Sequence, residues 1–345
     1  MPLTLPLTRV PPSPRKWGEG WGEGLSTGNI KPMFAYIVRR ILATIPVMAV
    51  VALFVFSLLH LSPGDPAVII AGDTATLDDI VRIRAKLGLD QPLYIQFVTW
   101  VWGLLHGDLG ISIFTNLPVS KLIAQRVEPT ITLTVSTLIV SVLVAIPMGV
   151  VAAWKAGSWI DRVVMVFAVL GFSVPVFVLA YLLIYVFAIS TDLLPVQGFV
   201  TIGGGIWPFL SHIIMPTLAL GMVFAALIAR MTRASMLDVL AQDYIRTAQA
   251  KGLANNKVLI GHALKNAAVP IVTIVGIGVA ALISGVVVTE TVFAIPGLGR
   301  LTVDAILRRD YPIIQGIILV FSASYVLVNL LVDLSYTLLD PRIRY

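Results

Sequence analysis

Six apolar runs dominate the sequence, and each is long enough, or nearly so, to cross a lipid bilayer as a helix. A transmembrane helix needs roughly 20 mostly apolar residues to span a hydrocarbon core of about 30 Å. The runs lie at Ile41–Leu61, Thr130–Ala153, Val163–Ile189, Ile213–Ala229, Val269–Thr289 and Ile313–Leu334. We therefore predict an all-α membrane protein with six transmembrane helices, which places both chain ends on the same side.

The composition excludes several other classes of protein. Hydrophobic residues make up 58% of the chain and charged residues only 12%, whereas soluble domains average about 45–50% and about 25%. This argues against a disordered chain, a collagen, a disulfide scaffold or a cytosolic enzyme. The chain has no cysteine, so it has no disulfide and no thiolate chemistry. Basic residues at the ends of membrane spans explain the net charge of +6, and we predict no nucleic-acid partner.

The distribution of Lys and Arg predicts how the spans are oriented. With the N-terminus inside, more of these residues fall in inner segments than in outer ones. Most of the outer ones lie in Ser62–Pro129, a connection that is too long to count in the positive-inside rule. The short outer connection Ser190–His212 contains neither Lys nor Arg. We therefore predict that both the N-terminus and the C-terminus lie inside.

The first 32 residues differ in composition from the rest of the chain. They are rich in Pro and Gly, repeat the tetrapeptide Trp-Gly-Glu-Gly, and lack the apolar core of a signal peptide. A new composition begins at Met33. Our hypothesis is that Met33 is the natural start and that residues 1–32 are a disordered or mis-called extension; a genuine flexible tail is the alternative.

The long outer connection contains two predicted short helices. Leu77–Leu87 is charged and is followed by Gly88, whereas Pro92–Leu105 is apolar and aromatic. The second composition is typical of a helix that lies at a membrane interface. We interpret its tryptophans as interfacial anchors rather than as a ligand cage.

Signatures of bond-making chemistry are missing from the sequence. There is no phosphate-binding G-x-x-x-x-G-K-[ST] loop, no H-E-x-x-H and no G-x-S-x-G. Gly276, Gly278 and Ala281 match a dinucleotide fingerprint only superficially, because they lie inside an apolar run where small residues let helices pack closely. The four histidines lack metal-ligand spacing: His60, His106, His212 and His262. We predict no catalytic residue, no cofactor and no metal, which argues against an intramembrane enzyme. A secondary carrier would need an inverted repeat and a midplane ion site, and neither is recognisable.

The inner connection Arg230–Lys265 is long, basic and patterned. Ala241, Ile245, Ala248 and Gly252 recur at spacings of four, three and four residues, which predicts one face of a short helix. Gly252 would end this helix at the C′ position. Small residues on that face would let a partner's cleft close around the backbone, and a solvated amphipathic connector is the alternative.

One stretch of this connection carries a specific resemblance. The pattern R-T-A-x-A-K-G-L, followed by H-A-L-x-N-A and a proline, runs from Arg246 to Pro270. It is similar to the cytoplasmic coupling motif of binding-protein-dependent ABC importers, in the variant of the dipeptide/oligopeptide/nickel permease family. The general motif has Glu-Ala-Ala where this chain has Arg246, Thr247 and Ala248, and Ile where it has His262. These departures indicate the subfamily.

Further matches to this family follow in the family's order along nearly the whole chain after Met33, whereas residues 1–32 match nothing in it. They are Arg39–Leu42, Leu59–Pro66, Leu87–Leu93, Gly107–Gly110, Glu290–Arg300, Arg309–Pro312 and Asp340–Arg344.

The resemblance implies a permease subunit of the bacterial inner membrane, with the transmembrane fold of a type I ABC importer. The implied partners are a second homologous permease, two cytoplasmic ATPase subunits that hydrolyse ATP, and an external solute-binding protein. The substrate could be a dipeptide, a longer peptide, a nickel chelate, glutathione or a sugar. The implied division is a first span with its external segment at 33–128, a permease domain at 129–340 and a cytoplasmic tail at 341–345.

The same resemblance and the charge pattern give three sets of site residues. The coupling helix to the ATPase comprises Asp243, Arg246, Thr247, Ala248, Ala250, Lys251 and Gly252. The gate or pathway residues are Glu290, Pro296, Gly297, Gly299, Arg300, Ser173 and Pro175. We expect Glu290 to pair with Arg300 or Arg309, or else to be solvated at the interface. Asn329 and Asp333 are expected to be structural anchors, with Asp333 near basic residues downstream.

Overall fold

The computed structural model describes residues 30–61, 67–68, 76–86 and 88–339. Nearly all of these residues are helical, and the described part has one isolated β-bridge, between Ile111 and Pro118. This confirms the predicted all-α class. Almost all of the predicted extension 1–32, and the whole of the tail 341–345, lie outside the described residues.

Eleven α-helices follow one another in the described residues. They are α1 (Ile30–Leu61), α2 (Leu77–Lys86), α3 (Leu93–Leu105), α4 (Val119–Trp154), α5 (Trp159–Ser173), α6 (Val176–Leu183), α7 (Ile206–Leu240), α8 (Asp243–Ala250), α9 (Lys265–Val292), α10 (Leu298–Arg308) and α11 (Tyr311–Leu339). Two π-helical segments extend this series. Ile184–Ser190 continues α6, and Lys257–Leu264 leads into α9.

Five stretches of the described helices are long and apolar enough to cross a membrane. They are Val38–Leu61, Val119–Trp154, Ile206–Leu240, Lys257–Ile283 and Tyr311–Tyr336. The remaining predicted span, Val163–Ile189, is broken, because Trp159–Ser173 and Val176–Ser190 meet at an angle of 102°. Six crossings therefore require that this bent pair forms one span.

Pro175 explains the break in the span Val163–Ile189. A residue that precedes proline is disfavoured in helical geometry, and Val174 is extended, with φ −86° and ψ 124°. The helix therefore stops at Ser173 and restarts at Val176, a larger change of direction than a kink. Pro216, by contrast, lies inside the uninterrupted helix α7.

The centre of the bundle is the long contact between α4 and α7. Small and hydroxylated residues let the two helices approach closely, which is how helices associate where lipid removes the hydrophobic driving force. The Ser141 hydroxyl donates to the Gly221 carbonyl at 3.1 Å, and the Ser136 and Thr217 hydroxyls lie 2.8 Å apart. Helices α4 and α7 therefore form the packed centre of the bundle, to which the segments at their ends are attached.

Helices α1 and α11 lie side by side at the edge of this frame. The Gln315 amide of α11 donates to the Val55 carbonyl of α1 at 3.1 Å. Toward the other end of the pair, Arg40 of α1 forms an ion pair with Asp333 of α11. The two helices are thus joined at two levels.

Candidate functional site

The connection Arg230–Lys265 contains a short helix, α8, and the face of α8 that is turned toward the chain's core is buried. Ile245 and Ala248 pack into a cluster with Met236 of α7 and with Val258 and Ala263 of the segment leading into α9. Of the predicted stripe, Ile245 and Ala248 therefore face the chain's own core, whereas Ala241 and Gly252 are exposed. Packing against the connected spans satisfies the apolar surface of Ile245, and contact of the exposed stripe residues with a partner stays a prediction.

Gly252 ends α8 as predicted. Its φ is +76°, a left-handed conformation that favours glycine. The Gly252 N–H donates to the Gln249 carbonyl at 2.9 Å and the Leu253 N–H to the Ala248 carbonyl at 3.3 Å, the two hydrogen bonds of a Schellman motif. A Cβ built on Gly252 would meet no described atom within 4 Å, so conformation, and not space, favours glycine here.

The outward face of α8 is polar and exposed. Its exposed residues include most of the predicted coupling set: Asp243, Arg246, Thr247, Ala250 and Lys251. Arg246 and Asp243 form an ion pair at 3.5 Å, one turn apart on the exposed surface. The Tyr244 hydroxyl accepts a hydrogen bond from Asn266 at 2.9 Å. The rest of the described chain thus packs against the inward face of α8 and leaves its outward face exposed.

A buried ion pair near this segment was not predicted from the sequence. The guanidinium of Arg233 in α7 donates to both carboxylate oxygens of Asp161 in α5, at 2.5 and 2.7 Å. The Gly157 N–H donates to Asp161 at 2.9 Å, and Ser158 caps α5 by accepting from the Asp161 N–H. In the sequence, Ser158 followed three residues later by Asp161 is a pattern that marks the start of a helix, but it does not indicate Arg233 as the partner.

Glu290 is fully buried at the end of α9. One carboxylate oxygen accepts from the Thr130 hydroxyl of α4 at 2.6 Å, and the other accepts from the Arg300 backbone N–H at 3.0 Å. The Thr130 hydroxyl oxygen also accepts from the Leu298 N–H at 2.8 Å. Two neighbouring helices therefore cap the N-terminus of α10, where the unpaired N–H groups and the helix dipole favour a negative charge.

This geometry corrects the expected partner of Glu290. The side chain of Arg300 donates to the Ala294 carbonyl at 3.1 Å, so only its backbone N–H meets the carboxylate. Arg309 ends the same helix at its far end, in a left-handed conformation with φ +57°. Both predicted ion pairs are therefore wrong. Solvation at the interface is also excluded, since Glu290 is 0% exposed.

The glycines beside Glu290 are required by space. A Cβ on Gly297 would overlap the Glu290 carboxylate, and a Cβ on Gly299 would lie 2.6 Å from the Val287 Cα. Neither glycine has a left-handed φ. The residues around the Glu290 carboxylate thus form one cluster, which we call the carboxylate clamp. Its members are Thr130, Glu290, Gly297, Gly299 and Arg300.

The other predicted site residues lie elsewhere. Ser173 and Pro175 are exposed at the bend between α5 and α6, and Pro296 is exposed just before α10. Asp333 pairs with Arg40, whereas the basic residues expected downstream lie outside the described residues. Asn329 lines a cavity of about 240 Å³ that Arg40 also lines.

Asp310 is a further buried carboxylate that sequence reasoning did not single out. It accepts from the Ser112 hydroxyl at 2.6 Å and from the Ile113 N–H at 3.3 Å. These bonds dock the segment that precedes α4 onto the junction between α10 and α11. Within the described residues, no group of three or more His, Cys, Asp and Glu side chains could hold a metal ion.

Comparison with known proteins matches nearly the whole chain after residue 32. The family model "Binding-protein-dependent transport system inner membrane component" matches residues 145–345. A companion model for the N-terminal membrane component of such systems matches residues 33–134.

Two curated relatives illustrate the similarity. A probable peptide ABC transporter permease protein, y4tP of Sinorhizobium fredii, is 56% identical over 313 residues, which is 91% of this chain and 100% of that protein. The glutathione transport system permease protein GsiC of Salmonella choleraesuis is 44% identical over the same shares of both chains.

A solved structure shares the fold. It is the MetNI methionine ABC transporter in inward-facing conformations, with a TM-score of 0.53 and 17% identity, covering 64% of this chain and 96% of that chain. This likeness supports the transmembrane fold of a type I ABC importer. With the family matches and the identities above, it shows that the chain belongs to the binding-protein-dependent transport system inner membrane components and is a permease subunit of an ABC importer.

Proposed function

We propose that this permease imports peptides or peptide-like solutes such as glutathione. The names of its relatives support this substrate class. We further propose that it forms half of the translocation pathway beside a second homologous permease. Two cytoplasmic ATPase subunits would hydrolyse ATP beneath the pair, and an external binding protein would deliver the substrate. Both chain ends would lie in the cytoplasm, as the distribution of Lys and Arg favours.

The chain divides into parts that fit this proposal. The two family models meet between residues 134 and 145, which supports a first span with its external segment at 33–128 and a permease domain at 129–340. Residues 341–345 would then form a short cytoplasmic tail. The extension 1–32 precedes both matches, and its role stays a prediction.

The observation that carries the proposal is the two-sided build of α8. Its inward face is locked to α7 and to the segment leading into α9 through Ile245 and Ala248. Its outward face exposes Arg246 and Lys251. A force applied to the outward face of α8 would therefore be transmitted to α7 and α9, as the coupling of an ATPase to the membrane spans requires.

The ion pair between Arg233 and Asp161 extends this connection to a third span. Arg233 lies one turn before Met236, which packs in the α8 cluster. Asp161 lies in the first turn of α5, which leads to the bend at Pro175. A displacement of α8 would therefore move α5 together with α7. ATP binding would then favour one of two arrangements of the bundle.

The carboxylate clamp would serve the outer gate. It fixes the start of α10 by contacts from both α9 and α4. A relative shift of α4 and α9 would break these contacts together, so α10 would change its position in one step. Ser173 and Pro175 would line the pathway at the bend, and Asn329 and Asp333 would anchor α11 to α1.

Transport assays test the proposal directly. The permease would be reconstituted in proteoliposomes with its partner permease and ATPase subunits, and uptake of labelled dipeptide and of glutathione would be followed with the binding protein outside. We expect uptake only when ATP is present on the ATPase side. Uptake driven by an ion gradient in vesicles that lack the ATPase subunits would overturn the proposal.

A matched pair of glycine variants tests the role of α8. Gly252→Asp places a side chain on the left-handed residue that ends the coupling helix. Gly261→Asp makes the same change nine residues later, in the π-helical segment, where φ is not left-handed and no described atom lies within 4 Å of the added Cβ. We expect Gly252→Asp to reach the membrane but to lose ATP-driven uptake, and Gly261→Asp to retain it. Equal uptake by both variants would refute the coupling assignment.

A further inference from the structure

Helix α3 is apolar, short and poorly covered by the rest of the chain. Its 13 residues, LYIQFVTWVWGLL, include no charged residue. A helix of this length is about 20 Å long, which is too short to cross a hydrocarbon core of about 30 Å. All of α3 is described, and none of its residues is buried. An exposed apolar surface of this extent marks a site of contact with lipid or with another protein.

One face of α3 rests on α1. The rings of Phe97 and Trp100 lie 5.3 and 5.7 Å from the ring of Phe56. Beside them, His60 Nε2 lies 3.1 Å from Gln96 Oε1. These contacts fix the rotation of α3, because they determine which of its side chains point away from the bundle.

The opposite face is a continuous apolar stripe. Its members recur at spacings of four, four and three residues along one side of the helix. They are Tyr94, Val98, Trp102 and Leu105, which are 70%, 63%, 64% and 75% exposed.

The contact with α1 places α3 at a definite depth. Phe56 lies five residues before Leu61, where the apolar span Val38–Leu61 ends, so the contact is about 8 Å below that end. Interfacial helices bury their apolar face about 5–10 Å into the boundary between headgroups and acyl chains. Helix α1 itself exposes apolar side chains in the same span, at Val50, Leu53 and Phe54, as a helix in contact with lipid does.

We propose that α3 lies in the plane of the bilayer surface and inserts Tyr94, Val98, Trp102 and Leu105 among the acyl chains of the leaflet at the Leu61 end of α1. That leaflet is the outer one if the proposed orientation holds. Because α3 carries no charge, its insertion depends on apolar burial and on tryptophan at the interface, and not on anionic lipid. The external segment of the permease is thereby tied to the membrane surface.

Single-cysteine labelling tests the proposal cleanly, since the chain has no native cysteine. Nitroxide labels would be placed at Val98→Cys and Leu105→Cys in the assembled transporter, in vesicles of zwitterionic lipid and in vesicles that contain anionic lipid. Asp78→Cys, on an exposed position of the charged helix α2, is the control. The readout is the collision rate of each label with oxygen, which concentrates in acyl chains, and with a water-soluble nickel chelate.

We expect labels at 98 and 105 to have an oxygen-to-nickel ratio several-fold above that of the control, equally in both lipid mixtures. Free access of the nickel chelate would show that the stripe faces water and would overturn the proposal. Protection from both reagents would show that a protein surface, such as the partner permease, covers it, which also overturns the proposal. ATP-driven uptake by the same vesicles reports on the proposed function separately.

Discussion

Asp161 and Arg233 lie 72 residues apart in the sequence and form a bidentate ion pair between the first turn of α5 and the C-terminal part of α7. The Asp161 side chain is 6% exposed and that of Arg233 is 25% exposed. The pair therefore lies mostly out of water, where removal of one partner leaves the other charge uncompensated. This relationship gives the bent span a fixed attachment to the helix that carries α8.

Removing the guanidinium should destabilise the permease. Breaking a buried pair costs about 3–5 kcal/mol, and we expect Arg233→Gln to fall at the lower end because Arg233 is partly exposed. Arg246→Gln is the matched control, since its pair with Asp243 is exposed on both sides and such pairs contribute about 0–1 kcal/mol. Thermal unfolding of the two purified variants measures the difference, and equal midpoints would contradict the assigned role of the buried pair.

Exchanging the two charges separates transmission from stability. The double variant Asp161→Arg with Arg233→Asp restores opposite charges at the same two positions. If the pair links α5 to α7, this variant should recover part of the uptake per ATP hydrolysed that Arg233→Gln loses. The two charge-reversal single variants, Asp161→Arg and Arg233→Asp, form a cycle with the double variant. Additive losses in the transport-to-hydrolysis ratio would mean that the two residues do not act together.

The Thr130 hydroxyl leads to a prediction about the carboxylate clamp. Thr130→Val keeps the shape of the side chain, removes a donor to Glu290 and leaves the Leu298 N–H without its acceptor. A buried group that loses its partner costs about 1–3 kcal/mol. Thr134→Val is the control one turn later, because that hydroxyl donates only to the Thr130 carbonyl of its own helix in the described contacts. We expect lower stability and slower uptake for Thr130→Val alone, measured by thermal unfolding and by transport.

The close approach of Gly297 to the Glu290 carboxylate leads to a further prediction. Gly297 has an ordinary extended backbone, with φ −102° and ψ −175°, so alanine is conformationally allowed there. The added Cβ would nevertheless overlap the Glu290 carboxylate. Gly297→Ala should therefore displace the carboxylate and reduce uptake, whereas Gly261→Ala, with open space around the Cβ, should transport normally. Normal uptake by Gly297→Ala would show that the clamp need not stay closed during transport.

The sequence predicted the spans and the end of α8 because the causes are local. An apolar run of sufficient length specifies a membrane helix by itself. Gly252 stops α8 through its own left-handed conformation. Pro175 likewise marks the bend by restricting the residue before it.

The partners of the buried carboxylates could not be predicted in the same way. Charge matching led to Arg300 and Arg309 for Glu290, but the actual donors are a hydroxyl and a backbone N–H, which carry no mark in the sequence. Asp161 meets Arg233 only after α5 folds against α7. Periodicity revealed a stripe on α8 but not its direction, because the same spacing fits a face turned toward the core or toward a partner.

The burial of Ile245 on the inward face of α8 leads to the final prediction. Ile245→Ala removes buried volume between α8 and the spans behind it, at a cost of about 2–5 kcal/mol, and leaves the outward face intact. ATPase subunits should then still bind, but hydrolysis should drive less uptake, because α8 can shift without moving α7 and α9. Lys251→Ala changes only the exposed face, so it should weaken ATPase binding in a salt-dependent way and leave stability unchanged. Co-purification of the ATPase and uptake per ATP hydrolysed distinguish the two effects. Loss of ATPase binding in Ile245→Ala, with thermal stability retained, would mean that Ile245 meets the partner after all.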